Sequence, residues 1–387
     1  MSPLLCFVSR GLVTASKGEG SVDVSEGICF ADLDVHARKT AAAAVQLGSG
    51  EVFRAKFAGS PEAAIEWLQS LPGPVRAVYE AGPTGFGLAR AARSAGIEMV
   101  VCSPGAIPRQ PGDHTKTDQR DALKLARLLA AGHLRHVTVP SPQLESLRDL
   151  VRAREDLRGD LMGARHRISK MLLRRGLVYQ GPGHPWESQR HGAWLRSIQL
   201  PDALAQTVLG EYLACHEVLL VRRGRLDALI AEQAADPQWA AVVGRLRCMR
   251  GIDTLTAVGL IAEIGDFTAF ARPRQLASFL GLVPGEYSTG DKRRQGSITK
   301  AGSSHARRLL IEAAWHYRRK PAVSLTLRRR QAGQPPAAIE AAWRAQLRLS
   351  GRWAHLDARR GKRRTTVAVA VARELACFVW EIARQPD

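Results

Sequence analysis

Two aspartates, Asp118 and Asp121, open the basic stretch GDHTKTDQRDALKLARLL at residues 112–129. Three positions apart on a helix they would share one face, with about 5–6 Å between Cβ atoms, where like charges repel. Capping is one use for such a pair, because a helix N-terminus favours acids. Cation binding is the other. Two further acids stand upstream, Asp34 in ICFADLDV (28–35) and Glu80 in VRAVYEA (75–81). Four carboxylates gathered on a chain of net charge +20 would repel one another unless a divalent cation lay between them, and hard oxygen donors favour Mg²⁺ or Mn²⁺. Two such ions about 3.5–4 Å apart can clamp the attacking and leaving oxygens of a phosphodiester. A single acid at a strand end is common on any surface, so the order of all four carries the metal reading.

The elements around these acids predict how they are held. Residues 28–35, 40–47 and 50–58 have the apolar or alternating character of strands, with Gly48 and Gly50 marking a tight turn. Residues 61–71 form an amphipathic helix, 75–81 a strand, 85–96 a helix and 97–103 a strand. A three-stranded meander followed by alternating helix and strand is the order of a mixed α/β sheet, and a ribonuclease-H-like fold has it. In such a sheet the strands ending in Asp34 and Glu80 are neighbours, and Asp118 and Asp121 arrive from the helix after the last strand.

Beyond Pro140 and Pro142 the period changes. Leu147, Leu150, Leu157, Leu161, Ala164, Ile168 and Leu172 recur at helical steps over 143–175. A Gly/Pro-rich break at 176–187 precedes a second helical run, 200–234, expected to return antiparallel as a coiled-coil arm. From Leu246, Gly251 precedes a helix with Ala257, Leu260, Ile261 and Ile264 inward, resembling a helix-hairpin-helix element whose amides receive phosphate. Residues 276–320 read as helix, polar Gly-rich loop and helix, and 365–384 as a final apolar helix. The expected organisation is a leader (1–27), a ribonuclease-H-like domain (28–140), a helical arm (141–240) and a mainly helical C-terminal domain (241–387).

Bulk composition names a polyanionic partner. Lys and Arg number 56 against 36 Asp and Glu, and between Asp291 and Asp387 the count is 22 against 7, a surplus of 15. Nucleic acid is the expected partner. Basic runs at Arg318–Lys320, Arg328–Arg330 and Arg359–Arg364, with Trp315, Tyr317, Trp343 and Trp353 interleaved, strengthen it. No apolar run approaches the roughly 20 residues of a membrane span. The six cysteines include no CxxC pair and read as buried, reduced thiols of a cytosolic protein. His36, His114 and His305 lack metal-binding spacing and read as structural or phosphate-contacting.

The stretches LDVHARKT, YEAGPTGFGL, GDHTKTDQRDALKLARLL and LASFLGLVPGEYSTGDKRRQGSITKAG resemble, in order, the transposases of the IS110/IS1111 insertion-sequence family, the RNA-guided bridge recombinases. The resemblance runs from about residue 28 to the C-terminus. It implies a RuvC-like Asp-Glu-Asp-Asp tetrad on Asp34, Glu80, Asp118 and Asp121, a coiled-coil arm, and a C-terminal transposase domain. It further implies a catalytic serine that forms a covalent link to DNA. The loop EYSTG offers Ser288, the assigned residue, and Thr289 as alternative. By the same resemblance the serine and the tetrad meet across subunits of a homo-oligomer, a dimer or tetramer, acting on donor and target DNA with a guide RNA encoded by the element.

Lys116, Arg120, Lys292, Arg293, Arg294, Lys300, Arg307 and Arg308 are the expected nucleic-acid contacts. A plain phosphate-binding turn is the other reading of the 285–302 loop. Two alternatives to a recombinase stay open on the residues: a RuvC-like nuclease that uses water, and a non-catalytic nucleic-acid-binding protein.

Overall fold

The run CFADLDV becomes a strand because its side chains alternate between two buried layers. Cys29, Ala31 and Leu33 enter one apolar cluster with Leu68, Tyr79 and Leu88, while Phe30 enters another with Val78, Val100 and Cys102. The structure is a computed structural model that describes residues 27–103, 123–134, 136–286 and 295–386. Its contacts divide the chain into two units, Met1–Pro140 and Ser141–Asp387.

In the first unit the elements are β1 (Cys29–Val35), β2 (Lys39–Gln46), β3 (Val52–Ala58), α1 (Pro61–Gln69), β4 (Val75–Glu80), α2 (Gly87–Ser94), β5 (Glu98–Cys102) and α3 (Lys124–Ala130). They form a five-stranded sheet in the order β3-β2-β1-β4-β5. β1 pairs antiparallel with β2, and β2 with β3; β1 pairs parallel with β4, and β4 with β5. This mixed order is the one expected of a ribonuclease-H-like sheet.

β2 contains four consecutive alanines, good helix formers. It is nevertheless a strand, because Ala42, Ala43 and Ala44 are buried between flanking strands, where tertiary pairing overrides local preference. Ser60 caps α1 by accepting from the Ala63 amide at 3.3 Å, and Pro61 starts the helix without a wasted donor. Each fully buried large side chain, such as Leu33 or Leu68, contributes about 1.5–3 kcal/mol.

The second unit is helical. α4 (Pro142–Leu173), α5 (Gln189–Ser197) and α6 (Ala203–Gln233) come first. Leu147 and Val151 share a core with Ile230, Leu157 and Leu161 with Leu219, and Ile168 and Leu172 with Ala205 and Leu209. Rising numbers on α4 meet falling numbers on α6, so the two long helices run antiparallel. α5 lies between the break at 176–187 and the second run, where no helix was expected; Ser188 caps it. The sequence contained no uninterrupted apolar span, yet α6 is long and apolar enough by composition to cross a membrane, because its arginines, Arg222, Arg223 and Arg225, all follow a first part of the helix that has none. Its buried residues include Ala205, Leu209, Leu219 and Ile230.

α7 (Ala240–Arg247), α8 (Thr254–Ile264), α9 (Pro273–Phe279), α10 (Ser304–Ala314), α11 (Leu325–Gln331), α12 (Pro336–Ala354) and α13 (Arg364–Ala383) complete the unit. Ala257, Leu260, Ile261 and Ile264 are buried in their common core, together with Val367, Val371, Leu375 and Val379 of α13. The expected polar loop instead begins and ends in a two-stranded ribbon, β6 (Pro284–Glu286) and β7 (Gln295–Ile298).

Candidate active site

Asp34 is the penultimate residue of β1 and Glu80 the last of β4. The parallel register sets Leu33 beside Tyr79, so the next position puts Asp34 and Glu80 side by side at one strand end. Alternation sends both to the same face, and both are exposed. An ionised Asp34 can only accept. His36 Nε2 therefore donates to its Oδ2, at 3.1 Å.

The surroundings of this pair are well defined. The Tyr79 hydroxyl donates to the Gly85 carbonyl at 2.9 Å, and the Ala81 amide to the Cys102 carbonyl at 2.8 Å, fixing the backbone that follows Glu80. Gly59 lies so close to the β1–β2 turn that a Cβ there would sit 2.5 Å from the His36 carbonyl oxygen. Burial pushes the Cys102 thiol up to about 12, and the nearby carboxylates of Glu80 and Asp32 add to the rise. Glu80 and Asp32 thus add negative charge at this end of the sheet, secondary to burial in its effect on the thiol. Asp32, buried at 6% exposure on the Asp34 face, was missed in the sequence because only the terminal acid of DLD was weighed.

α3 covers that face through Leu125, Ala126 and Leu129. Asp118 and Asp121 precede it in the chain and lie outside the described residues, as do Lys116, Arg120, His114, Ser288, Thr289, Lys292, Arg293, Arg294 and the leader through Glu26. Among the described residues no three metal-ligating side chains meet. The two that do stand together offer only hard carboxylate oxygens, open to solvent, the donor type that Mg²⁺ accepts while retaining waters.

In the second unit the ribbon has tightly built feet. Gly281 (φ +65°) would bring a Cβ to 2.3 Å from the Ala301 nitrogen, and Gly302 (φ +65°) one to 2.1 Å from the Phe279 carbonyl oxygen. Both positions need glycine for their backbone conformation and for the close approach. Arg307 Nη1 donates to the carbonyls of Leu280 (3.0 Å) and Ala301 (2.8 Å), one on each side of the ribbon. Lys300 is exposed and sits at φ 57°.

Arg307 and Arg308 were expected to meet nucleic acid, but their guanidinium groups hold intramolecular partners. Arg308 bonds Glu312 at 2.6 Å and also Glu155. Aromatic stacking was a second expectation from the sequence. Tyr317 and Trp353 are buried and Trp315, partly buried, packs on Trp353 at 5.3 Å, whereas Trp343 is 39% exposed. Cys215 is exposed, against the expectation of uniformly buried thiols.

Behind the ribbon lies a charged cluster that spacing could not reveal. Arg152 of α4 grips Glu263 of α8 at 2.9 and 3.0 Å, and His305 of α10 lies 3.6 Å from Glu263 and 3.8 Å from Glu155. Burial alone would raise the Glu263 carboxyl; His305, Arg152 and Ser303 outweigh it and hold it far below the usual range.

Comparison with known proteins converges on one family. A DEDD transposase profile of IS110 matches residues 31–175, and the profile described as Transposase IS116/IS110/IS902 family matches residues 243–327. The chain is 40% identical over 385 residues to the y4qE protein of Sinorhizobium fredii, named as a transposase, covering 97% of this chain and 93% of that one. The chain belongs to the IS110 family of transposases. It is also 32% identical to the transposase for insertion sequence element IS1533 of Leptospira borgpetersenii, over 77% of this chain and 85% of that protein. A shorter match, 27% identical over 57% of this chain and 59% of the relative, is the transposase for IS1111A of Coxiella burnetii. A transposase cuts and rejoins DNA strands, and this one carries the Asp34–Glu80 strand ends in the first matched segment and the ribbon in the second.

Proposed function

We propose that this transposase mobilises its insertion sequence by strand exchange at a site built from Asp34, Glu80, Asp118 and Asp121, with Ser288 as nucleophile. The observation that carries the reading is the side-by-side placement of Asp34 and Glu80 on the face covered by α3. α3 begins three residues after Asp121, and three residues reach at most about 10 Å. Asp118, six residues before the helix, has a reach of at most about 20 Å, so the acidic pair of the opening motif is tethered to the element that covers the strand-end pair.

The four carboxylates would hold Mg²⁺ or Mn²⁺, which when bound offsets the charge of a phosphodiester and orients its oxygens. His36 keeps Asp34 in an accepting rotamer. The bond from Ser288 Oγ to phosphorus would form as the bond from phosphorus to one DNA oxygen breaks, with the serine proton ending on that leaving oxygen, and the departing or a new strand end would reverse the phosphoserine link. Thr289 is the neighbouring hydroxyl that could take the same role. The ribbon, clamped at both feet by Arg307, is a rigid carrier for that loop. A guide RNA would choose donor and target sites, and the α4–α6 arm would join copies into a dimer or tetramer in the cytoplasm, at the nucleoid. The domain roles follow: RuvC-like sheet for residues 28–140, arm for 141–240, serine and nucleic-acid surface for 241–387.

The test uses full-length protein with its co-purified RNA and a plasmid carrying the element ends. Asp34→Asn and Glu80→Gln are expected to lower excision by about a hundredfold or more while DNA binding persists. Undiminished excision in either variant would overturn the acidic site. Ser288→Ala separates strand exchange from hydrolysis, since a nuclease using water keeps cutting. Sequencing of RNA retained through purification should return one short species; random fragments would remove the guide from the proposal.

A further inference from the structure

Several arginines of the helical unit are matched with acids, as in Arg154–Asp227 (2.7 Å), Arg344–Glu381 (2.5 Å) and Arg348–Glu374 (2.9 Å). Others lack such partners, and one group of these stands together. Among the described residues, Arg250, Arg318, Arg319, Lys320, Arg328 and Arg329 have no carboxylate within ion-pair distance.

These cations come from three separated segments that neutral contacts hold together. Gly251 turns at φ +83°, and its missing Cβ leaves room for the Ala313 carbonyl oxygen, which would otherwise lie 2.7 Å away, and for the His316 ring at 3.0 Å. Arg250 Nη1 donates to the Lys320 carbonyl at 2.9 Å. Arg330 Nη1 donates to the Ile252 carbonyl at 2.6 Å, and Gln331 Nε2 to the Cys248 carbonyl at 3.1 Å. Core packing and backbone carbonyls therefore assemble like charges against their mutual repulsion.

The repulsion is registered locally. Burial lowers the His316 pKa, and Arg250, Arg319, Arg330 and Arg318 lower it further. Burial likewise lowers the Arg330 pKa, with Arg247 adding to it. An anion seated there would relieve this potential. Arginine outnumbers lysine in the patch, which suits forked recognition of phosphate oxygens. Tyr317 and Trp353 are buried and Trp315 packs partly buried on Trp353, so backbone phosphates are a more fitting target than bases stacked on these rings.

We propose that this cationic shoulder, formed by the 250 turn, residues 318–320 and residues 328–329, docks the sugar-phosphate backbone of nucleic acid without reading its sequence. The proposal rests on the transposase reading only for the choice of polyanion, and binding is measured without cutting, so excision by the Asp34 variants tests that reading separately.

The experiment is fluorescence anisotropy of full-length protein in EDTA, titrated on labelled mixed-sequence duplex DNA and on single-stranded RNA over a range of salt. The triple variant Arg318→Gln, Arg319→Gln, Arg329→Gln should bind at least about tenfold more weakly at low salt. Its plot of log affinity against log salt should be shallower by about 2–3 on duplex, since each lost phosphate contact removes roughly 0.9. The same three positions changed to Lys should keep the wild-type slope. Arg344→Gln with Arg348→Gln, removing paired cations, should change it by less than about one. Loss on both probes identifies the shared backbone; loss on one alone identifies DNA or RNA as the occupant. If the triple variant does not fold, Arg329→Glu alone should still make the slope shallower by about one or more. Unchanged affinity and slope on both probes, in folded protein, would overturn the proposal.

Discussion

Arg152 and Glu263 meet in a two-point ion pair, Nε to Oε1 at 2.9 Å and Nη2 to Oε2 at 3.0 Å, although 111 positions separate them in the chain. The Glu263 side chain is 2% exposed, whereas that of Arg152 is 55% exposed. The carboxylate therefore depends on its partners to stay charged in the interior, while the guanidinium could return to water. Removing Arg152 leaves a buried charge behind; Arg152→Leu should destabilise the protein by roughly 3 kcal/mol, the low end for a broken buried pair because one member is half in water. Chemical denaturation at neutral pH measures it.

The same carboxylate sets a pH dependence. Its folded-state pKa lies below the ordinary value of 4.5, so its stabilising contribution is complete above that value and is lost as pH falls beneath it. Glu263→Gln should thus melt below wild type at pH 7, and the difference should shrink steadily as the pH is lowered from about 4.5 toward 3. Thermal melts of both proteins across that range give the comparison; a gap that widened in acid would contradict the assignment.

Gly59 provides a steric test near Asp34. A methyl group there would lie 2.5 Å from the His36 carbonyl oxygen and 2.9 Å from the Lys39 nitrogen, both backbone atoms that cannot swing aside. Gly59→Ala should cost about 1–3 kcal/mol and shift the turn carrying His36. Excision should fall more than stability alone explains. Measuring excision at a temperature where the variant remains folded separates the two effects.

The legible part of the sequence was its local periodicity. β1 to β5 were read from alternating or apolar runs, and their order implied that Asp34 and Glu80 end neighbouring strands. β6 and β7 escaped notice because PGE and QGSI are too short and polar to alternate visibly. α12 was hidden by the Pro/Gln-rich stretch QAGQPPAA (331–338) that runs into its start and by alanine-rich buried positions, Ala338, Ala341, Ala342 and Ala345, which look neither apolar enough nor patterned enough. The Arg152–Glu263–His305 cluster was illegible in principle, because it depends on three helices converging rather than on spacing within one. Arg307 shows a related limit: its charge is legible in the sequence, whereas the two carbonyls it holds across the base of a ribbon depend on tertiary packing.

That clamp makes its own prediction. Replacing Arg307 with Met keeps the stem's length and loses the donors to Leu280 and Ala301. A charged hydrogen bond contributes about 1.5–3 kcal/mol, so the melting temperature should drop by several degrees. Lys in the same position, with a point charge in place of a fork, should restore stability only in part. Duplex affinity should stay near wild type if the residue is structural, and a large loss of salt-dependent binding would return Arg307 to the nucleic-acid surface.

Thiol chemistry tests the layers of both units together. Burial raises the Cys102 and Cys248 thiols, to about 12 and about 11, and Cys29 is also buried. A thiol must be both ionised and reachable to react. Cys215, exposed on α6, meets the second condition, whereas the three buried thiols meet neither near neutral pH. Titration of native protein with a disulfide reagent at pH 8 should show a fast phase that Cys215→Ser reduces by one equivalent. Cys29, Cys102 and Cys248 should react only when denaturant opens the fold. Rapid labelling of Cys102 in native protein, located by peptide mass analysis, would mean that the end of β5 beside Glu80 is open to solvent, and the carboxylate potential inferred there would have to be revised.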